Sequence, residues 1–301
     1  MRLILHVGYP KTGSTTLQEG LFSKHPEIAY LGKPFDPRFL RLERVILTAS
    51  DAEFERSLPT MAKVTESRVR SLGRSLVLLS HEGFLRSTRN GGHDVLRTAN
   101  RVRRVFAGPE LGDALVGVII VIRRQPDLFL SHFVQFVRGD QAELDRRVER
   151  LLDQPREGFP RTLFFDEVLG HYRKLFGDAV DVLLFEDLIE APGTYIRRVC
   201  EILGIDAEVG AKLAIGRHDR RRRRDEGFYL VEARKTLTHR TGALLAGLGL
   251  KQVGRALKRG SPLRVALSPL QTAAIEEVFV ESNRRTQERF GLPLAQHGYA
   301  S

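Results

Sequence analysis

The sequence predicts an α/β fold: a parallel β-sheet with helices on both faces, followed by a helical C-terminal part. Three observations carry this. Four runs, at 2–7, 75–80, 115–122 and 180–185, are predominantly apolar rather than alternating, as strands buried on both faces are. Stretches of helical periodicity separate them, at 14–24, 51–70, 94–106, 127–138, 162–176 and 192–204. Strand–helix alternation of this kind builds a parallel sheet with right-handed crossovers. The strand ends carry Gly, Pro, Lys, Glu and Arg, which places the working face at the C-terminal edge of the sheet.

The first strand, Arg2-Leu3-Ile4-Leu5-His6-Val7, breaks at Gly8-Tyr9-Pro10-Lys11-Thr12-Gly13, and a helix opens on Ser14-Thr15-Thr16. Such a loop points backbone N–H groups at one spot, where the helix dipole and Lys11 add positive charge. The expected occupant is a phosphate or similar oxyanion. The nucleotide P-loop is G-x-x-x-x-G-K-[ST]. Gly8, Gly13 and Thr15 fit that pattern, but Ser14 stands where its lysine belongs. Lys11 lies inside the loop instead, suited to a group just beyond the first phosphate, which argues against an ordinary kinase or ATPase. His6, inside the strand, reads as a satisfied core histidine.

The strand at 75–80 ends in Ser80-His81-Glu82-Gly83, placing an imidazole and a carboxylate side by side at its tip. Either is a candidate general base. Glu27, Lys33 and Asp36 are the fallback candidates, with Tyr30-Leu31-Gly32-Lys33 expected to bring Lys33 near the group that is deprotonated. The strand at 115–122 ends in Arg123-Arg124-Gln125-Pro126-Asp127, and Ser131 follows eight positions after Arg123 on the next helix. A guanidinium gives a bidentate contact to phosphate and a serine hydroxyl adds a donor. No Asp or Glu ends this strand, which counts against a Mg²⁺-dependent phosphotransferase. Beyond 225 the chain reads as mostly helical, with breaks at Gly260-Ser261-Pro262 and Ser268-Pro269, and Ser268 is placed to cap the last long helix.

These motifs resemble the sulfotransferases that use 3′-phosphoadenosine-5′-phosphosulfate (PAPS). Tyr9-Pro10-Lys11-Thr12-Gly13-Ser14-Thr15-Thr16 is similar to their 5′-phosphosulfate loop, and Arg123 with Ser131 to their 3′-phosphate pair. The stretch from Val182 through Glu186-Asp187 to Gly204 resembles the family's strand, acidic turn and following helix, and that from Val280 to Leu292 resembles the closing helix of bacterial members. The resemblance is weak over 36–70 and 225–265. It implies a P-loop NTPase-like three-layer sandwich and one sulfotransferase domain over 1–301. The core would span about 1–205, and a basic loop with helices about 206–301. It implies PAPS as donor, 3′,5′-ADP as product, no metal, and direct in-line transfer to an acceptor hydroxyl. Cytosolic members use a histidine base; many carbohydrate-directed and bacterial members use a glutamate. Ser80-His81-Glu82 is similar to the bacterial strand end, so Glu82 is favoured over His81. A glycan or glycolipid acceptor follows from the same analogy.

The wider composition is compatible. The chain has 301 residues, 42% of them hydrophobic, a formal charge of +11 and a single cysteine. It is long enough for a large core, and Cys200 sits in a helical apolar setting as a core residue. No apolar run reaches the roughly 18 residues of a membrane helix. The first apolar run leads straight into the loop rather than to a cleavage site, so a cytoplasmic location is expected. The charge calls for anionic partners. Its sharpest feature is Arg217-His218-Asp219 followed by Arg220, Arg221, Arg222, Arg223 and Arg224. The run would close over the cofactor's phosphate or stay solvated; an anionic membrane or an acidic glycan would also suit it. No nucleic-acid module is recognisable, and aromatics do not interleave with the run. Two other readings stay open: a Mg²⁺-dependent small-molecule kinase on a related fold, and a non-catalytic anion- or nucleic-acid-binding protein.

Overall fold

The structure is a computed structural model that describes residues 1–32, 37–85, 94–112, 114–214, 229–232 and 262–301. Along the chain these form β1 (Arg2–His6), α1 (Ser14–Leu17), β2 (Ile28–Leu31), α2 (Pro37–Thr48), α3 (Asp51–Ser71) and β3 (Leu76–Ser80). Then follow α4 (Val95–Phe106), β4 (Leu115–Ile122), α5 (Gln125–His132), α6 (Gln141–Asp153), α7 (Gly158–Arg161) and α8 (Phe165–Phe176). The chain closes with β5 (Val180–Leu184), α9 (Phe185–Glu190), α10 (Pro192–Leu203), α11 (Ala207–Ala214), β6 (Tyr229–Glu232), β7 (Pro262–Val265) and α12 (Pro269–Phe290).

Two compact units result. The first comprises Met1–Arg124, Glu157–His218 and Phe279–Ser301, and the second Gln125–Arg156 and Asp219–Val278.

In the first unit, five parallel strands are ordered β2-β3-β1-β4-β5. Apolar side chains point alternately to the two faces. Ile4, Leu76, Leu78, Ile119, Val121 and Leu183 pack on one face with Leu17, Leu21 and Phe22 from the α1 segment. Tyr195, Ile196, Val199, Cys200 and Leu203 of α10 complete that layer. Cys200 is a buried free thiol of this core, its pKa pushed up to about 11 by burial. The alternate residues, such as Leu3, Leu5, Val77, Leu79, Ile120 and Ile122, are equally buried. The α4–α8 layer covers that second face. Helices therefore lie on both faces of a parallel sheet, as expected for an α/β sandwich of the P-loop type. Because β1 is flanked by β3 and β4, the chain reverses its winding direction there. Such a switch point is where a crevice opens at the strand C-termini.

In the second unit, β6 and β7 pair antiparallel, Tyr229 opposite Val265 and Glu232 opposite Pro262. The Gln141 side chain on α6 brackets Ala266, accepting its N–H and donating to its C=O, each at 3.0 Å. Asp145 accepts a second Gln141 bond and one from Gln271. Ser268 does cap α12: its Oγ accepts from the Gln271 N–H, and the Gln271 side chain returns a bond to the Ser268 N–H.

Several elements differ from the sequence expectation. β2 was not expected; it is a four-residue edge strand, too short for periodicity to register. Strands at 229–232 and 262–265 stand in the part read as mostly helical. Their pairing spans some thirty residues, and no local pattern reports it. Helices α2 and α6 were not singled out. The helices expected at 14–24 and 127–138 each relax into a π-helical turn, at Gln18–Phe22 and Phe133–Val137.

Candidate functional site

The loop after β1 is shaped by two residues in the left-handed region, Lys11 at φ 75° and Gly13 at φ 78°. Glycine is required at 13. A Cβ there would run into Leu188 and come within 3.3 Å of Phe185, both on α9. Lys11 adopts the same region despite its side chain, a strained conformation held by its surroundings. Tyr9 is one anchor: fully buried, it donates from its hydroxyl to the Thr162 carbonyl at 2.5 Å and meets Phe165 edge to face. Thr12 is another, buried, with Oγ1 donating to the Tyr9 carbonyl at 2.6 Å. A third comes from Arg123, whose Nη1 donates to the Lys11 carbonyl at 3.1 Å. The Arg123 guanidinium lies 4.6 Å from the centre of the Phe185 ring. Arg123, directly after β4 and so beside the end of β1, is thus built into the loop whose lysine it accompanies.

Ser14 opens the helix after this loop. Its hydroxyl is buried and has no hydrogen-bond partner among the described residues. A buried hydroxyl without a partner is costly. An oxyanion in the loop would satisfy it, so the residues present fit a phosphosulfate group. Pro10 is buried, Thr16 half-buried and Thr15 exposed.

Beneath the loop lies a polar network that the sequence did not reveal. Gln18 Nε2 donates to Ser80 Oγ at 2.8 Å, and Ser80 Oγ lies 2.8 Å from His6 Nδ1. The Ser80 hydroxyl keeps a second lone pair and its own proton besides the contact with Gln18, so either tautomer of His6 makes this bond. Nε2 is buried without a partner among the described residues. It faces the loop, 3.1 Å from where a Cβ on Gly8 would stand. Burial lowers the His6 pKa to about 4, so the ring is neutral near pH 7. His6 is thus a core histidine with one ring nitrogen satisfied rather than two.

At the tip of β3, His81 is buried and engaged at both nitrogens. Nδ1 accepts from the Gly83 N–H at 2.9 Å, which leaves Nε2 as the donor to Glu43 Oε1 at 3.0 Å. The one lone pair of a neutral imidazole is already used there. Glu82 opens a single 3₁₀ turn and is half-buried. Its backbone leaves the sheet beside the loop, because β3 pairs with β1, Ser80 opposite His6. Glu82, Lys11 and Arg123 thus follow three neighbouring strands, β3, β1 and β4. Ser131 is buried on α5 in the second unit. Of the fallback bases, Glu27 accepts from the Asp206 N–H at 3.0 Å. Lys33 and Asp36 lie outside the described residues, as do Arg217, His218 and Arg220 to Arg224.

The floor of the site is α9. Glu186 Oε1 accepts the Arg124 backbone N–H at 2.9 Å, and Oε2 accepts the Tyr299 hydroxyl at 3.0 Å. Burial raises the Glu186 pKa, against the lowering effect of these donors and Arg123. The sequence marked Glu186 at a strand end but gave no sign of Phe185, Leu188, Glu43 or Tyr299. Their partners are distant in sequence, and no local pattern records them.

Among the described residues no helix is long and apolar enough to cross a membrane. No curated protein matches the chain. Of solved structures, a sulfotransferase from Alicyclobacillus acidocaldarius is 17% identical, covering 86% of this chain and 99% of that one at TM-score 0.42. The sulfotransferase domain of the Synechococcus PCC 7002 olefin synthase is 16% identical, covering 70% and 75% at TM-score 0.40. A structure titled as a sugar kinase, from Janibacter sp. HTCC2649, is 15% identical, covering 69% and 98% at TM-score 0.34. Residues 2–223 match the sulfotransferase domain model. This span contains the loop, both strand tips and α9, and the chain belongs to the sulfotransferase domain family.

Proposed function

We propose that the protein transfers a sulfuryl group from PAPS to an acceptor hydroxyl, directly and in line. The observation that carries this is the loop itself. Lys11 and Gly13 are both left-handed, the Ser14 hydroxyl is buried without a partner among the described residues, and Arg123 is bonded to the Lys11 carbonyl. When bound, PAPS supplies the sulfuryl group. The backbone N–H groups of residues 12–16, with Ser14 and Thr15, hold the 5′-phosphosulfate oxygens. Lys11 neutralises charge developing at the bridging oxygen. Arg123 and Ser131 hold the 3′-phosphate, as the family resemblance assigns them. Glu82 takes the proton of the acceptor hydroxyl; the bond between Gly83 and His81 Nδ1 favours it over His81. Positioning and electrostatics supply the catalysis, and no metal enters this scheme. The acceptor class is a glycan or glycolipid, by analogy with family members that use a glutamate base.

Calorimetry with 3′,5′-ADP and 5′-ADP, each with and without Mg²⁺, tests the donor. Preference for 3′,5′-ADP independent of Mg²⁺ is expected. Mg²⁺-dependent preference for 5′-ADP would replace this reading with a phosphotransferase.

A further inference from the structure

The family match ends at residue 223, yet the last residues of the chain reach the floor of the site. A helix of six residues such as α9 is not stable on its own. Its inner side is held by Leu188, buried in the core. Its three acidic side chains, Glu186, Asp187 and Glu190, are all engaged by the C-terminal turn. His297 Nε2 lies 2.9 Å from Asp187 Oδ1, and its Nδ1 3.3 Å from Glu190 Oε1. The Tyr299 hydroxyl donates to Glu186, whose other oxygen accepts the Arg124 N–H. Arg124 Nη1 in turn donates to the Gly298 carbonyl at 3.4 Å. The His297 side chain is 7% exposed and Tyr299 is 3% exposed.

The turn is itself fixed. Gly298 takes φ 71°, the Tyr299 N–H returns to the Leu294 carbonyl, and Asn283 Nδ2 donates to the Ala300 carbonyl at 2.8 Å. What α9 supports is equally specific: Phe185 stacks on the Arg123 guanidinium, and Phe185 with Leu188 closes over Gly13.

We propose that residues 294–300 form a positioning strap. His297 and Tyr299 are positioning residues that hold α9 in register, so that Arg123 and the Gly13 turn keep the geometry of the anion loop. This rests on the donor-site reading only in the role given to Arg123 and Gly13.

Hydrogen exchange on the full chain, without ligand, tests it directly. Compare the wild type with Tyr299→Phe and with the double variant His297→Gln/Tyr299→Phe. Amides of residues 12–17 and 185–188 should exchange at least tenfold faster in the double variant, with those of α3 unchanged. Unchanged exchange at 12–17 in a folded variant overturns the strap. If the double variant does not fold, Tyr299→Phe alone, which removes one hydroxyl, decides by the same criterion. A kinetic readout separates positioning from mere stability: the donor KM should rise about tenfold with acceptor KM and kcat held. Equal changes in all three would refute the proposal. Failure of the wild type to bind 3′,5′-ADP would count against the donor reading and leave the exchange result standing.

Discussion

Protonating His6 should cost the fold a defined amount. The ring is fully buried, its Nδ1 is occupied by the Ser80 hydroxyl, and its pKa is lowered from 6.5 to about 4. Between those values the unfolded chain binds a proton that the folded chain refuses. Stability from this group is therefore complete above pH 6.5, falls as pH falls, and levels off below about pH 4. From pH 7.5 to pH 5.0 the linkage amounts to about 2 kcal/mol. Urea unfolding of the wild type and of His6→Asn at both pH values measures it, because Asn keeps a polar atom for Ser80 but does not titrate. His171 and Glu186, also shifted, are common to both proteins and cancel. The wild type should lose about 2 kcal/mol more than the variant over this range. An equal pH response in the two proteins would show that His6 is not a neutral imidazole locked beneath the loop.

Two substitutions probe the chemistry. Lys11→Ala should leave thermal stability near that of the wild type, since Lys11 is half-buried and not one of the core residues. Turnover should fall at least a hundredfold, in line with the roughly 2.7–4 kcal/mol lost with one aimed donor; near-normal turnover would remove Lys11 from the mechanism. Glu82→Gln should lower kcat by about 10²–10⁴ with little change in 3′,5′-ADP affinity. If His81→Asn produces that loss and Glu82→Gln does not, the base assignment is reversed.

Much of the fold was legible because parallel strands buried on both faces write themselves as apolar runs. β1, β3, β4 and β5 all stand within a residue of where those runs lie. The glycine-bounded loop and Arg123 were legible for a related reason: strand tips at a switch point carry the ligand, and the punctuation there is local. β2 and the β6–β7 pair were not, since each takes its stability from partners far along the chain.

The sequence by itself determined the α/β class, the glycine-bounded loop with its displaced lysine, and the cations that follow the neighbouring strands. Only the tertiary structure decided how these groups are held. It ties His6, Gln18 and Ser80 into one buried network and gives His81 to Gly83 and Glu43. It sets Phe185 under Arg123 and brings the last turn of the chain onto α9. Burial and hydrogen bonding between distant residues depend on three-dimensional proximity, and a linear pattern records only the residue types that proximity will use.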